Sequence, residues 1–223
     1  MSHIPGVRQA QKQKTRQAIM DAALGLLEEQ SLSSLGLREV TRAVGVAPTA
    51  FYRHFPSVAD LGVALVEEAL GSLHPMIRTT VSPAEDSDER IARAVELIAG
   101  HVSAHPAHVR FIARERHGGV QPVRDAIREQ LARFAREVKA ELAKDPMSAG
   151  WSDADLLMLA GLYVDQMLVT GSLFLEALET QDDQGAQDAQ EAQDAQEEAR
   201  RRAADTATRQ MRLISIGRRH WLD

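Results

Sequence analysis

Apolar residues recur along most of this chain at the three- and four-residue spacing of an α-helix, and this periodicity constrains the fold more than any other feature. The clearest stripe consists of Val123, Ile127, Leu131, Phe134, Val138 and Leu142. No stretch alternates apolar and polar residues over a convincing length, and aromatic residues, which favour strands, make up only 4% of the chain. We therefore predict an all-α protein of about nine helices.

Proline, glycine and serine mark several of the expected helix ends. A short helix from Leu37 stops at Gly45 and Pro48 opens the next, which is the usual placement of glycine and proline at helix termini. Ser152 is the predicted N-cap of the most apolar helix. The segments predicted to be helical are about 9–29, 37–44, 48–55, a helix from Ser57 interrupted near Pro75, one through Ile91 and Val102, 107–116, one through Val123 and Leu142, 153–179, and a last one carrying Met211, Ile214 and Trp221.

Composition excludes several classes of function and location. The chain has no cysteine, which rules out disulfides, thiol catalysis and thiolate metal sites. The longest unbroken apolar run, residues 156–164, is far shorter than the roughly 20 residues that span a bilayer, so no transmembrane helix is predicted. The N-terminus carries no apolar signal stretch. We therefore expect a cytoplasmic protein without a membrane partner.

Catalytic and metal-binding patterns are missing from the sequence. It contains no Ser-His-Asp set, nucleotide-binding fingerprint or paired carboxylates, so neither an enzyme nor a cofactor is predicted. His101, His105 and His108 have a spacing that could place imidazoles on one helical face, but Pro106 interrupts the helix and no carboxylate is arranged beside them. No metal site is predicted.

Charge is distributed unevenly along the chain, whose net charge is −6. Residues 1–56 carry seven basic and four acidic side chains, whereas residues 181–199 carry seven acidic side chains and no basic one. Without the acidic stretch the net charge would be +1, so the pI of 5.8 does not argue against a nucleic-acid partner.

The acidic stretch is of low complexity, because residues 186–197 repeat Ala-Gln-acid four times. A period of three moves the alanines about 60° around a helix at each repeat, so they cannot form one apolar face. We predict a solvated polar helix or a disordered loop, inserted between the last two helices. Helical order should resume near Glu197 and Glu198, each of which lies four residues before an arginine.

Residues 37–55, LREVTRAVGVAPTAFYRHF, have the pattern of two short helices that brace each other across a turn, as in a helix-turn-helix motif. The residues predicted to face inward are Val40, Ala43, Val46, Phe51 and Phe55. The residues predicted to be exposed are Thr49, Tyr52, Arg53 and His54. Hydroxyl, guanidinium and imidazole groups suit phosphates and base edges of DNA. The alternative is a helical corner without a DNA-binding role.

The same region resembles the DNA-binding domain of the TetR family of repressors over residues 9–62. The resemblance is carried by Leu37-Arg38-Glu39-Val40, Gly45-Val46 and Phe51-Tyr52-Arg53-His54-Phe55. It implies a homodimer that binds a palindromic double-stranded operator. The DNA contacts it implies are Arg38, Pro48, Thr49, Tyr52, Arg53 and His54. Ala47 and Val58 depart from the family pattern, which has a capping residue at the first position and a phosphate-binding Lys at the second. Lys12, Lys14 and Arg16 are the expected substitutes for that phosphate contact.

Three separated runs further resemble the proteobacterial repressors of unsaturated fatty-acid synthesis and desaturation: residues 32–62, RERHGG at 114–119 and QMRLISIGRRHWL at 210–222. This resemblance implies a long-chain acyl thioester as effector. Arginines suited to the phosphates of such a ligand cluster nearby, although a salt-bridged surface explains them equally well. The predicted ligand residues are Arg110, Phe111, Arg114, Arg124, Met158 and Leu162.

Together these patterns predict two parts, a DNA-binding domain at 1–56 and a ligand-binding and dimerisation domain at 57–223 that contains the 181–199 insert. The helices at 153–179 and 205–221 are the expected dimer interface, because the first is apolar on nearly all sides. Two alternatives remain open: a TetR-type regulator of drug efflux with another apolar effector, and a helical scaffold or lipid carrier that does not bind DNA.

Overall fold

The computed structural model describes residues 5–74, 87–183 and 189–222. Within these ranges the chain forms nine α-helices and no strand, which confirms the predicted all-α class. The helices are α1 (Pro5–Leu26), α2 (Leu37–Val44), α3 (Pro48–Phe51), α4 (Val58–Gly71), α5 (Ser87–Ala104), α6 (Pro106–Glu115), α7 (Gln121–Leu142), α8 (Asp153–Asp183) and α9 (Ala189–Arg219). A single 3₁₀ turn, Pro146–Ser148, lies between α7 and α8.

Serine caps begin two of the helices, as their sequences suggest. The backbone N–H of Asp155 donates to Ser152 Oγ over 3.1 Å, which confirms the predicted N-cap of α8. Ser57 caps α4 in the same way, since it accepts from the Asp60 N–H at 3.1 Å. In both caps the serine hydroxyl also donates to the aspartate carboxylate, at 2.6 Å. Short-range hydrogen bonding therefore sets these two helix starts.

The bounds of helices α3 and α9 differ from the prediction. Helix α3 ends at Phe51 rather than Phe55. The residues that follow form tighter turns, in which the backbone N–H groups of Arg53 and His54 donate to the carbonyls three residues before them. Helix α9 begins at Ala189 and therefore includes most of the Ala-Gln-acid repeat. Ala, Gln and Glu are strong helix formers even without an apolar face. Pro75, Ile77 and residues 184–188 of the insert lie outside the described residues, and Trp221 follows the end of α9.

The chain divides into two compact units. The first comprises Met1–Gly71 and Arg110–Arg128, and the second comprises Ser72–Val109 and Glu129–Asp223. Buried residues of the first unit include Ile19, Leu32, Val40, Phe51, Phe55, Leu61, Leu65, Phe111 and Ile127. Buried residues of the second come mainly from α5, α8 and α9 and include Ile91, Val95, Ile98, Val102, Phe174, Ala207 and Met211. The functional boundary at residue 56 stays a prediction.

Helix α8 carries an unusually large apolar surface. Among the described residues, its segment Asp153–Glu179 is the one stretch long and apolar enough, by length and composition, to cross a membrane. Core helices of soluble proteins pass the same test, but only 33% of the most apolar window is buried within this chain. Much of the apolar surface of α8 is therefore left uncovered by its own chain.

Candidate DNA-binding surface and ligand cavity

The turn between α2 and α3 has the geometry that only glycine adopts easily. Gly45 has φ +74° and ψ +29°, the left-handed conformation. Its N–H donates to the Arg42 carbonyl over 3.2 Å, and the next N–H, of Val46, donates to the Thr41 carbonyl over 3.0 Å. This Schellman pattern ends α2 and sets the direction in which α3 begins.

A buried apolar base supports the short helix α3. Val40 and Phe51 are 0% exposed and Phe55 is 1% exposed, as predicted, and Val46 is half-buried. The prediction for Ala43 was wrong, because Ala43 is exposed and Thr41 is buried instead. Thr41 lies beside Val40 on the inner face of α2, and its hydroxyl hydrogen is donated to the Arg38 carbonyl at 3.2 Å, so its polar group is satisfied there.

The opposite face of this motif is polar and exposed. Tyr52 is 59% exposed although its ring makes an edge contact with buried Phe51, whose centroid lies 5.8 Å away. The other predicted DNA-contacting residues that are exposed are Arg38, Pro48, Thr49 and Arg53 of the motif and Lys12 and Lys14 of α1. No side chain caps α3 at Ala47, in agreement with the departure noted in the sequence.

Positive charge concentrates around His54, which is half-buried at the end of the α3 turn. Burial lowers the pKa of His54, and the nearby charges of Lys12, Arg16 and Arg53 lower it further. The guanidinium of Arg16 also lies 4.4 Å from the centroid of the Phe55 ring. The structure thus brings α1 and α3 cations together on one surface, which suits a polyanion such as DNA.

The RERHGG run packs inside the first unit. Arg114 donates from Nη1 to the carbonyls of Leu27 and Gln30, both at 2.7 Å, and from Nη2 to the Glu28 carbonyl at 3.2 Å. These carbonyls lie just beyond α1, where backbone oxygens have no helical partner. Glu115 is 1% exposed and accepts from the Leu32 N–H at 2.9 Å. We call these contacts of Arg114 and Glu115 the α1 clamp.

Two glycines make room for close packing in this unit. A Cβ at Gly118 would collide with the buried carboxylate of Glu115, and a Cβ at Gly62 would collide with Leu32 and Val123. The close contacts made by Glu115, Gly118 and Gly62 were not predicted from the sequence. Glu115 and Gly118 lie in the RERHGG run and Gly62 ends the 32–62 run, and both runs are notable in the sequence only for the resemblance they carry.

The predicted ligand residues fall in different parts of the fold. Arg110, Phe111, Arg114 and Arg124 belong to the first unit and Met158 and Leu162 to the second. Arg110 lies 3.4 Å from the Glu28 carboxylate, and Arg124 donates to the Gly118 carbonyl at 2.5 Å. Phe111 is buried, whereas Met158 and Leu162 are 43% and 48% exposed. The assignment of these six residues to a ligand stays a prediction.

The second unit contains a cavity of about 110 Å³. Its apolar wall is formed by Ile91, Ala94, Val138, Leu142, Met167 and Met211. Its polar lining consists of Ser87, Arg90, Asp145, Tyr163 and Arg218. None of the six predicted ligand residues lines it. A second and largely polar cavity, of about 350 Å³, is lined by residues of α5, α8 and the 190–200 segment.

Arg218 is the most confined polar residue of the apolar cavity. It is 6% exposed, its Nη1 lies 3.2 Å from the Asp145 carboxylate, and its Nη2 donates to Ser148 Oγ at 2.6 Å. Arg90 lies 3.8 Å from the same carboxylate. Burial raises the pKa of Tyr163, against the opposing effect of Arg218 and Arg90. Arg218 was not among the predicted ligand residues, although it lies in the 210–222 run that carries part of the resemblance.

The three histidines noted in the sequence lie together in the second unit. The ring centroids of His101 and His105 are 5.0 Å apart, and those of His105 and His108 are 5.8 Å apart. Burial lowers the pKa of His101, and His105 and His108 lower it further. Among the residues that the structure describes, no group of three His, Asp or Glu side chains is arranged to hold a metal ion.

Comparison with known proteins agrees with this architecture. Residues 19–65 match the model of the family described as bacterial regulatory proteins, tetR family. The fatty acid degradation regulator FadR from Bacillus halodurans has a TM-score of 0.59 and 16% identity, over 90% of this chain and 97% of that one. FadR from Bacillus subtilis in complex with stearoyl-CoA has a TM-score of 0.58 and 15% identity, over 82% of this chain and 96% of that one.

A TetR family transcriptional regulator from Chloroflexus aurantiacus has a TM-score of 0.55 and 15% identity, over 90% of this chain and 93% of that one. At these identities the likeness to the solved structures shows a common fold, whereas the family match covers the helix-turn-helix motif itself. Regulators of this family bind DNA operators as dimers. On these grounds residues 19–65 carry the DNA-binding motif of the TetR family, and the chain as a whole has the fold of TetR-family regulators.

Proposed function

We propose that this regulator is a homodimeric repressor of lipid or fatty-acid genes whose affinity for its operator is controlled by a long-chain acyl thioester. The observation that carries the lipid part is the cavity of the second unit, which is walled mainly by apolar side chains and lies among four helices. Such cavities with a few convergent polar groups are the usual sites of small apolar ligands in proteins.

The proposed DNA contacts lie on the exposed face of the helix-turn-helix motif. Arg38, Pro48, Thr49, Tyr52 and Arg53 are supported by their exposure over the buried base of Phe51 and Phe55, and half-buried His54 is supported by its place among nearby cations. Lys12 and Lys14, exposed on α1, are proposed to contact phosphates. Arginine and the hydroxyl side chains suit base edges, so the motif is proposed to supply sequence specificity and α1 to supply charge.

The proposed dimer interface is formed by α8 and α9. The large exposed apolar residues of these helices are Leu157, Met158, Leu162, Val169, Leu213 and Ile216. A Cβ at Gly161 would meet no atom within 4 Å, so a second chain can approach α8 closely at this point. Two α8–α9 pairs can pack as a four-helix bundle, which would cover this surface and relate the two DNA-binding motifs by a twofold axis.

Acyl control is supported by the RERHGG and 210–222 runs and by the FadR proteins among the solved structures of similar fold. The cavity of about 110 Å³ is smaller than the roughly 300–1,000 Å³ typical of ligand pockets. Flexible Met167 and Met211 in its wall are suited to enlarging it for a longer chain. Arg110, Arg114 and Arg124 already bond to protein groups within the first unit.

The experiment that tests this proposal is titration of the operator with the dimer in the presence of four compounds in turn. These are saturated acyl-CoA, unsaturated acyl-CoA, free fatty acid and coenzyme A alone. We expect a 5- to 150-fold change in operator affinity with at least one long-chain compound, the usual range of allosteric coupling, and none with coenzyme A. Identical affinities under all four conditions would leave the drug-efflux type of regulator, and absence of DNA binding would favour the scaffold.

A further inference from the structure

We infer that the N-terminal part of α1 is a second DNA contact, in which one face of this helix lies against the sugar-phosphate backbone beyond the end of α3. The residues of this face are Gln9, Lys12, Gln13 and Arg16. The inference rests on the proposed function for the presence of DNA. It deepens that proposal, because it extends the DNA surface from the helix-turn-helix motif along a continuous helix face and assigns two glutamines to it.

The first support is that this part of α1 does not cover the core. All six residues from Gln9 to Lys14 are exposed, although six residues make about one and a half helical turns. No side of the helix is therefore covered there by the described chain. Among the side chains that the structure describes, the buried residues of α1 begin at Ile19. A polar helix that is exposed all round gains no stability from packing, and a partner outside the unit would supply the missing contacts.

The second support is positive charge without compensation. The sequence has no acidic residue before Asp21, so no carboxylate lies within one helical turn of Lys12 or Lys14 along α1. The acidic residue that α4 brings to α1 is Glu68, and it accepts a hydrogen bond of 2.7 Å from Gln17, nearer the core. An exposed helix with cations and no anions suits a polyanion, and duplex DNA carries one negative charge per about 1.7 Å of its axis.

The third support is the direction of this face. The guanidinium of Arg16 lies 4.4 Å from the ring centroid of Phe55, which belongs to the buried base of α3. The charges of Lys12 and Arg16 lower the pKa of His54, so both cations lie near the end of the α3 turn. Positions three and four apart share one side of a helix, so Gln9 lies on the same side as Lys12 and Arg16. At 1.5 Å per residue it lies about 10 Å beyond Arg16 along the helix axis.

The chemistry of the face suits phosphates. The amide groups of Gln9 and Gln13 each offer two N–H donors, and the Lys12 ammonium adds charge to its three donors. Contacts of this kind with the backbone fix the orientation of a protein on the duplex without reading its sequence. The α1 face is therefore expected to add affinity and orientation, whereas the helix-turn-helix motif supplies specificity.

The test uses the full-length protein and the duplex that it selects from a pool of random double-stranded oligonucleotides. Gln13→Glu places a negative charge on the proposed contact face. Two unit charges about 4 Å apart in water lower the affinity roughly fivefold when they repel, so a dimer with two such faces should lose on the order of thirtyfold. The loss is measured as the change in the dissociation constant at about 0.1 M salt.

Gln11→Glu is the matched control. It makes the same exchange on the same exposed stretch, but position 11 lies about 200° around the helix from position 9. The helix diameter of roughly 10 Å equals about one Debye length at 0.1 M salt, so this variant should lose less than about threefold. Glutamate and glutamine are similar helix formers, so both melting temperatures should stay unchanged. Equal losses of affinity in the two variants would overturn the inference.

Neutral methylphosphonates in place of single phosphates locate the contact. At a phosphate that touches the α1 face, this replacement should weaken binding of the wild-type protein and remove the penalty of Gln13→Glu. A Gln13→Glu penalty that stays the same on every substituted duplex would show that the charge acts at a distance, and the contact would be wrong.

Arg38→Ala separates this inference from the proposed function. Weaker binding by Arg38→Ala, together with equal affinities of Gln13→Glu and Gln11→Glu, would support the proposed DNA-binding motif and overturn the α1 contact. A wild-type protein that selects no duplex would contradict the proposed function and the inference with it. Neither result depends on whether an acyl thioester controls the operator.

Discussion

Arg114 and Arg218 are arginines from two sequence runs that resemble the same repressors, but the structure surrounds them differently. Arg114 donates to three backbone carbonyls at the end of α1, so its guanidinium is a structural brace of the first unit. Arg218 is held by Asp145 and Ser148 and keeps one buried donor without a described partner beside a cavity. An arginine's role thus depends on which acceptors surround it rather than on the motif that contains it.

The largest effect should follow from removing the brace. Arg114→Ala leaves the carbonyls of Leu27, Glu28 and Gln30 without their charged donor, and we expect the free energy of unfolding to fall by about 3 kcal/mol in urea denaturation. Arg212→Ala, which breaks a half-exposed pair with Asp88, should lose about 1 kcal/mol or less. A stable Arg114→Ala protein that no longer binds acyl-CoA would contradict the bracing role and show that Arg114 is a ligand residue.

Gly118→Ala tests the α1 clamp from its other side. The added methyl group collides with the Glu115 carboxylate, so we expect overpacking to cost about 1–3 kcal/mol of unfolding free energy. Gly100→Ala is the control, because a Cβ at Gly100 meets no atom within 4 Å and the residue is exposed within α5. That variant should gain about 0.5–1 kcal/mol. Equal stabilities of the two variants would show that Glu115 is not confined.

Substitutions on the exposed DNA-binding surface should weaken DNA binding without lowering the stability of the fold. Arg38→Ala and Tyr52→Ala are each expected to cost about 1–3 kcal/mol of specific operator binding with the melting temperature unchanged, since both side chains are exposed. Lys12→Ala should weaken binding to all DNA sequences and reduce the slope of affinity against salt. Unchanged operator affinity in all three variants would show that the DNA-binding surface lies elsewhere.

His54 makes a smaller, pH-dependent prediction. Burial and the charges of Lys12, Arg16 and Arg53 lower its pKa in the free protein, whereas neighbouring phosphates would raise the pKa in the complex. The complex would then bind more protons than the free protein, so operator affinity should rise as pH falls through the interval between these two pKa values. Uptake of one proton can raise the operator affinity by at most about tenfold for each pH unit. His54→Gln should remove this dependence, and a wild-type affinity independent of pH would contradict it.

The same lowered pKa has an opposite consequence for stability. Protonation of His54 is less favourable in the folded than in the unfolded protein. The contribution of neutral His54 to the free energy of unfolding is therefore present above the pKa of the unfolded state, and it is lost as pH falls through the lowered pKa of the folded state. Acid should therefore strengthen DNA binding while it weakens the fold.

The smallest effect is expected from deleting residues 186–197. They contain no apolar side chain larger than alanine, so deletion should change the melting temperature little. The described contacts that would be lost include the hydrogen bond, 3.3 Å long, from Gln196 to the Leu178 carbonyl and the exposed ion pair of Glu197 with Arg201. A marked fall in melting temperature would show that the polar part of α9 supports the second unit.

Much of the fold was predictable because it depends on short-range rules. Helical periodicity gave the all-α class, the serine caps gave two helix starts, and Gly45 with Pro48 gave the turn of the helix-turn-helix motif. These features involve residues no more than five apart. The exposure of Tyr52 and Arg53 follows from the same periodicity once Phe51 and Phe55 are buried.

The clamp and the cavity could not be predicted in this way, because their partners are distant in sequence. Arg114 and Leu27 are 87 residues apart, and Arg218 and Ser148 are 70 apart. A sequence shows that an arginine is present, but the packing of helices decides whether carbonyls, a carboxylate or an empty space faces each of its five N–H groups. The sequence alone therefore determined the helices and their turn, and only tertiary packing distinguished the bracing arginine from the one beside the cavity.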